Sequence, residues 1–292
     1  MTQNGETFKF FSSFDHHPLT GRIWPTKACP LRAVLLIVHG YGEHCQRYRH
    51  MADFFTNYQI TCISYDMRGH GESQGERGFT PHVNALFDDL ESVIVYIRQE
   101  LYLFVPIIIY AHGTGSVLCA SHCIRRSSQP LDCQAMVLST PSICVKQSFS
   151  KFVIFVARAF ANLSPHLRLP VEGNHTAQYS NDPEVVEAYR NDPLVHDRWP
   201  ASTCAMFIEL GALLRKENIN LFCPVLVQHG DADIITQIRY VEIWASEQLI
   251  GNVNFKRWPG HFHEIHNDCG KEEVFRFLLE WMTQNVFQIY YV

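Results

Sequence analysis

PIIIYAHGTGS, residues 106–116, carries three local signals in succession. Ile107 to Tyr110 is a β-branched and aromatic run, the mark of a buried strand. Ala111 to Ser116 is a turn of small residues, and the VLCASHCIRR that follows has a helical composition. The stretch predicts a strand, a sharp turn and a helix, with Gly113 at the apex of the turn.

Outward from it, the same alternation repeats. Ala33 to Val38 (AVLLIV) reads as a buried strand running into His39-Gly40-Tyr41-Gly42-Glu43-His44. Met51 to Tyr58 reads as a helix. Ile60 to Tyr65 is the next strand, ending in Asp66-Met67-Arg68-Gly69-His70-Gly71-Glu72-Ser73. Between Pro81 and Leu101, apolar residues recur at Leu86, Leu90, Val93, Ile97 and Leu101, a helical period with one buried face. Beyond the central stretch come strands at Ala135–Ser139, Pro224–Gln228 and Val253–Trp258, and helices at Ile238–Leu249 and Glu272–Met282, the last burying Val274, Phe277, Leu278 and Trp281. Phe8–Phe11 and Leu19–Trp24 flank the turn Asp15-His16-His17-Pro18 and read as an antiparallel opening pair. The fold class expected is α/β: a mostly parallel central sheet with helices on both faces. Active sites in such sheets form at the carboxyl ends of the strands, where these Gly- and His-containing turns fall.

From about 141 to 216 the rhythm changes, and no buried strand stands out. Phe149, Phe152, Val153, Val156 and Phe160 mark one helix face, while Ile154, Phe155 and Ala157 leave the other side apolar too. Asp182-Pro183-Glu184 reads as a cap, a first-turn proline and an acidic first turn. Met206, Leu210, Leu213 and Leu214 mark another helix. The expectation is a single domain, its core formed by 1–140 and 217–292, with a helical cap over 141–216. A helix apolar nearly all round is either buried within that cap or lines a lipid-sized cavity beneath it, with Phe152, Phe155 and Val156 as the candidate lining residues.

Composition narrows the function. The chain has 292 residues, 47% of them apolar and 18% charged, which describes a globular protein with a large core. A net charge of −5 with no basic run argues against nucleic acid as a partner. The ten cysteines include no C-x-x-C pair and read as reduced packing thiols rather than a disulfide framework or zinc site. The opening MTQNGETFKF lacks a signal pattern, so a cytoplasmic chain is expected.

Acyl transfer needs a nucleophile, a base, an acid to orient that base, and two N–H donors for the oxyanion. When a strand-to-helix turn carries the nucleophile, it reads G-x-S-x-G, and the acid and base follow in that order. Gly113, Asp233 and His263 fall in that order, each after a predicted strand, but the first of them is not a serine. Asp231, His261 and His266 lie close by as alternatives.

Taken together, the turns resemble those of the monoacylglycerol lipases and lysophospholipases of the α/β-hydrolase superfamily, from about Phe8 to Trp281. His39-Gly40-Tyr41-Gly42-Glu43-His44 resembles the family's HGxGEH oxyanion turn, and Asp66 to Ser73 its D-x-R-G-H-G-x-S turn. Ser180-Asn181-Asp182-Pro183 and Asn191-Asp192-Pro193-Leu194 resemble its paired cap segments. The resemblance implies Asp233 as the acid, His263 as the base, and the N–H groups of Tyr41 and Thr114 as oxyanion donors. It implies structural roles for His39, Arg68 and Glu72, and no metal or organic cofactor. The substrate class implied is an acyl-chain lipid or ester, with peripheral membrane contact through the cap. Gly113 stands where the family has its serine, and Ala111 and Ser116 also depart from the usual G-H-S-x-G-G. The implication is a lipid-ester hydrolase scaffold that is nearly inert, or a non-catalytic protein that binds an acyl lipid or a partner.

Overall fold

The fold, seen in a computed structural model, is described for residues 5–102, 104–144, 151–169 and 175–288. Eight strands form one sheet: β1 (Glu6–Phe11), β2 (Pro18–Trp24), β3 (Ala33–Val38), β4 (Ile60–Tyr65), β5 (Ile107–His112), β6 (Ala135–Ser139), β7 (Val225–Gly230) and β8 (Val253–Trp258). Their order is β1-β2-β4-β3-β5-β6-β7-β8. β1 and β2 pair antiparallel to each other and β2 antiparallel to β4, while every other pairing is parallel. This is the mostly parallel sheet the alternation predicts.

The central strands are apolar throughout because both their faces are covered. Along β3, Val34, Leu36 and Val38 point into one core, and Ala33, Leu35 and Ile37 into the other. β5 divides likewise, Ile107, Ile109 and Ala111 against Ile108 and Tyr110. The first core is completed by α2 (Val83–Tyr96), α3 (Thr114–Arg125) and α7 (Ile238–Glu247), the second by α1 (Arg49–Phe55) and α8 (Lys271–Met282). On α8, Val274, Leu278 and Trp281 are buried as expected, but the aromatic buried beside Val274 is Phe275, and Phe277 is only half-buried.

Between β6 and β7 the chain leaves the sheet. It forms α4 (Lys151–Phe160), α5 (Pro183–Asn191) and α6 (Ala201–Leu214), with a short antiparallel pair, Arg168–Leu169 against Trp199–Pro200. Asp182 caps α5, accepting from Glu184 N at 3.0 Å, with Pro183 in the first turn. α6 is apolar on opposite sides for a reason visible in its packing. Phe207, Leu210 and Leu214 join the core against α3, while Cys204, Ala205 and Ile208 pack under Val153 and Ala157 of α4.

The expected orientation of α4 requires correction. Val153 and Ala157 are buried, whereas Phe152 and Phe155 are 71% and 68% exposed. Phe149 lies outside the described residues.

Candidate active site

β5 ends at His112, and Gly113 turns the chain into α3 with φ 54° and ψ −114°, a conformation that a Cβ strains. The turn is held by Gly113 N–H donating to Ser139 O (3.0 Å) and by Ser142 N–H donating to Gly113 O (3.2 Å). Two residues on, a Cβ at Gly115 would stand 2.6 Å from Val38 O, so only glycine lets α3 start this close to the end of β3. Ser116 is turned away from the apex, its hydroxyl 2.7 Å from Ala111 O and 3.1 Å from Ser139 O. The Thr114 hydroxyl is buried with no hydrogen-bond partner among the described residues.

The loops after β7 and β8 bring Asp233 and His263 together, Oδ2 to Nδ1 at 2.7 Å. The carboxylate is fixed from several sides: His229 Nε2 lies 3.0 Å from Oδ2, and the N–H groups of Ile235 and Thr236 donate to Oδ1 at 2.8 and 3.1 Å. Burial alone would raise the Asp233 pKa, but the His263 charge and the hydrogen bonds from His229 and His263 hold it well below the carboxylate range. Burial likewise opposes the charged form of His263, and the Asp233 carboxylate outweighs it, leaving the imidazole pKa above its ordinary value. With Nδ1 donating to Asp233, Nε2 is the ring's free acceptor. A Cβ placed at Gly113 would stand 3.7 Å from that Nε2.

The alternatives sit elsewhere. Asp231 is exposed and accepts from Gly260 N at 2.7 Å. His261 lies against Trp258, and His266 is fully buried, stacked on Tyr48 at 4.6 Å.

The loop after β3 forms the opposite wall. His39 ties it to the next loop: Nδ1 donates to Gly40 O at 2.6 Å, and Nε2 accepts from Met67 N at 2.9 Å. Glu43 accepts from Gly40 N (2.6 Å) and the Tyr48 hydroxyl (2.8 Å). Arg47 joins Glu43 (2.8 Å) to Glu264 (2.8 and 2.6 Å), so one buried guanidinium links this loop to the residue beside His263. Burial would raise the Glu264 pKa, but Arg47 brings it down to about 2. Neither Tyr41 nor Thr114 spends its backbone N–H on a described partner. Arg68 is locked onto Asp89 and Asp15, and Glu72 onto Arg22, all away from the cavity.

The inserted segment is pinned to these loops by the two motifs read from its sequence. Asp268 accepts from Asn181 N and from Phe262 N, both at 2.6 Å. Asp192 meets His44 at 2.8 Å, and the Tyr41 hydroxyl lies 2.9 Å from Gly78 O and 2.5 Å from Arg198 O.

Between the sheet edge and the inserted segment lies a cavity of about 110 Å³. Gly113, Thr114, Tyr41 and His263 line it. Phe152, Phe155 and Val156 do not: the packing of Val153 and Ala157 onto α6 turns Phe152 and Phe155 outward and leaves Val156 at the edge of the α4–α6 contact. The apolar wall comes instead from Tyr179, Tyr189, Trp199, Phe207 and Ile235. The sequence held one clue to them, since Tyr179 directly precedes the Ser180-Asn181-Asp182-Pro183 segment. Ser142 and Cys144, just past β6, carried no pattern at all.

The family model of the serine aminopeptidases, S33, matches residues 30–270. The chain belongs to that family. Among its relatives is a monoacylglycerol lipase of Mycolicibacterium smegmatis, 30% identical over 265 residues that cover 90% of this chain and 92% of the relative. Mouse monoglyceride lipase is 25% identical, covering 91% of this chain and 86% of its own length. The crystal structure of Paleococcus ferrophilus monoacylglycerol lipase superposes with a TM-score of 0.80 at 26% identity, over 91% of this chain and 99% of that one. A soluble variant of the Saccharomyces cerevisiae monoglyceride lipase gives 0.86 at 21%, over 98% and 97%, a likeness of fold. The chain is thus a monoacylglycerol-lipase-like α/β-hydrolase of the S33 family. Among the described residues of this family member, no cluster of His, Cys, Asp and Glu could hold a metal ion.

Proposed function

We propose that this S33-family chain takes acyl-lipid esters, monoacylglycerols or lysophospholipids, into the cavity between the sheet edge and its inserted segment, which serves as a cap over 141–216. Asp233 and His263 are the acid and base of the family's site, Tyr41 and Thr114 its oxyanion donors, and Gly113 stands at the position of its serine. One observation carries this reading: a side chain at Gly113 would begin 3.7 Å from His263 Nε2, in a turn already at positive φ. Without the serine oxygen no acyl-enzyme forms at that position, and turnover by the serine route falls by about a millionfold. The protein is therefore an acyl-lipid binder on a lipase scaffold, a pseudoenzyme toward the family's own mechanism.

The ligand chemistry is supported by the aromatic and aliphatic wall set against a few polar groups at one end. Exposed Phe152, Phe155 and Leu163 on and after α4 support peripheral contact between the cap and a lipid surface, on a cytoplasmic protein. Native mass spectrometry and thermal shift with 1-monoolein and lysophosphatidylcholine test the binding, alongside fluorophosphonate labelling of the chain and of its Gly113→Ser variant. Retained monoolein or lysolipid with no label on the unaltered chain is the expected result. Indifference to both ligands overturns it.

A further inference from the structure

The space a side chain at 113 would enter is bordered by two hydrogen-bonding groups. A Cβ there would stand 3.6 Å from Ser142 Oγ and 3.7 Å from His263 Nε2, with Gly40 Cα at 3.8 Å. Each polar distance exceeds a hydrogen bond by no more than about an ångström, so an oxygen atom lying farther from Gly113 Cα than that Cβ can approach both groups. Ser142 is held beside the turn by its own N–H, bonded to Gly113 O, and its hydroxyl makes no hydrogen bond to another described residue. His263 presents Nε2 as an acceptor, because Nδ1 is committed to Asp233. Tyr41 and Thr114 line the same cavity, and neither spends its backbone N–H on a described partner.

We propose that the site hydrolyses acyl esters slowly by direct attack of water, with His263 as general base and Ser142 as the residue that positions the water. The inference rests on the acyl-ester binding proposed above and adds a reaction to it. Water sits against Gly113 Cα, beyond the point where a Cβ would stand, in space that a side chain at residue 113 would take. As its oxygen bonds the ester carbonyl carbon, its proton passes to His263 Nε2 and the carbonyl electron pair moves onto the oxygen facing Tyr41 and Thr114 N–H. The intermediate collapses by breaking the bond to the leaving alkoxide, which takes the proton back from Nε2. One water is consumed, one carboxylic acid and one alcohol are released, and no bond to the protein forms. The glycine is then a requirement of the route and not only a loss, since any side chain at 113 takes the place of the water.

The test uses the full chain with p-nitrophenyl butyrate and 1-monoolein, each assayed for turnover, and native mass spectrometry with 1-monoolein for binding. The expected rate is about 10³-fold above buffer, rising with pH as His263 loses its proton. His263→Ala lowers it by about 10²-fold or more. Ser142→Ala lowers kcat by about tenfold with KM unchanged, the mark of a group that orients the water and not the substrate. Gly113→Ala lowers kcat while monoolein binding persists, and intact mass at saturating ester shows no acyl adduct in any variant. An acyl adduct on Ser142, a rate indifferent to His263→Ala, or bound monoolein with no turnover above buffer for either ester overturns the water route and leaves the binding reading standing. Loss of monoolein binding by the unaltered chain overturns both.

Discussion

At position 113, backbone and side chain make opposite demands. The turn holds φ at 54°, which glycine adopts freely and a residue with a Cβ pays for in strain. The surroundings, by contrast, leave ordinary van der Waals room for that Cβ, the nearest atoms lying at 3.6 to 3.8 Å. Gly113→Ser should therefore fold, lose about 1–3 kcal/mol of stability to backbone strain, and gain both fluorophosphonate labelling and esterase turnover. Urea denaturation and probe labelling of the same preparation check the two outcomes together, and a folded variant that neither labels nor hydrolyses would count against Gly113 as the nucleophile position. Gly113, Asp233 and His263 were legible because each sits in a turn whose small residues follow a buried strand. Ser142 was not, since its nearness to Gly113 comes from β6 lying beside β5, a pairing that no local pattern around residue 142 announces.

Among the elements, strands read more reliably than the inserted helices did. β3, β4 and β6 end where the sequence placed them, because a run apolar on both faces has one sheltered location, the interior of a covered sheet. α4 is apolar over most of its ten residues, but positions 151 and 158 put its two basic residues on one side, and the opposite side, with Val153 and Ala157, is the one that packs on α6. That leaves Phe152 and Phe155 in solvent. Phe152→Ser/Phe155→Ser should accordingly shift stability by no more than about 0.5 kcal/mol while cutting partition into phosphatidylcholine vesicles by about tenfold or more, given about 1.5–3 kcal/mol per buried phenyl side chain. Vesicle co-sedimentation reads the difference, and unchanged partition would remove α4 from the lipid-facing surface. The loops that carry the site depend on each other in another way. Arg47 is buried between Glu43 and Glu264, and deleting it leaves two sequestered carboxylates without a counter-charge. Arg47→Ala should cost about 3–5 kcal/mol in urea unfolding, with ester binding weakened as the loops after β3 and β8 lose their link.

At the scale of the whole molecule, the unusual feature is how many imidazoles the fold holds, buried or half-buried, in their neutral form. His39, His50, His70, His112, His122, His196 and His266 all have pKa values held below the ordinary histidine value, burial being the leading cause in each. For His112 and His196 the value falls to about 4. An unfolded chain binds protons at these groups near pH 6.5, and the folded chain takes them up only at lower pH. Their stabilisation is thus complete above pH 6.5 and is lost as pH falls toward 4. His112 alone accounts for about 3 kcal/mol of that loss. His263 works in the opposite sense: its raised pKa stabilises the fold below pH 6.5 and ceases to do so as pH rises through the folded value. Glu264, brought down to about 2, adds a further loss only below about pH 4.5. One group against seven fixes the sign. The melting temperature should fall steeply between pH 6.5 and 4, well before carboxylate protonation dominates. His266 offers the cleanest dissection, because it is fully buried and both its ring nitrogens lack a hydrogen-bond partner among the described residues. In His266→Leu the titratable ring is gone, so its share of the acid slope should vanish, and the variant should gain on the unaltered chain as pH drops from 7.5 to 5. Thermal melts of both proteins across that range decide it: parallel curves would mean that His266 takes up its proton equally well folded and unfolded.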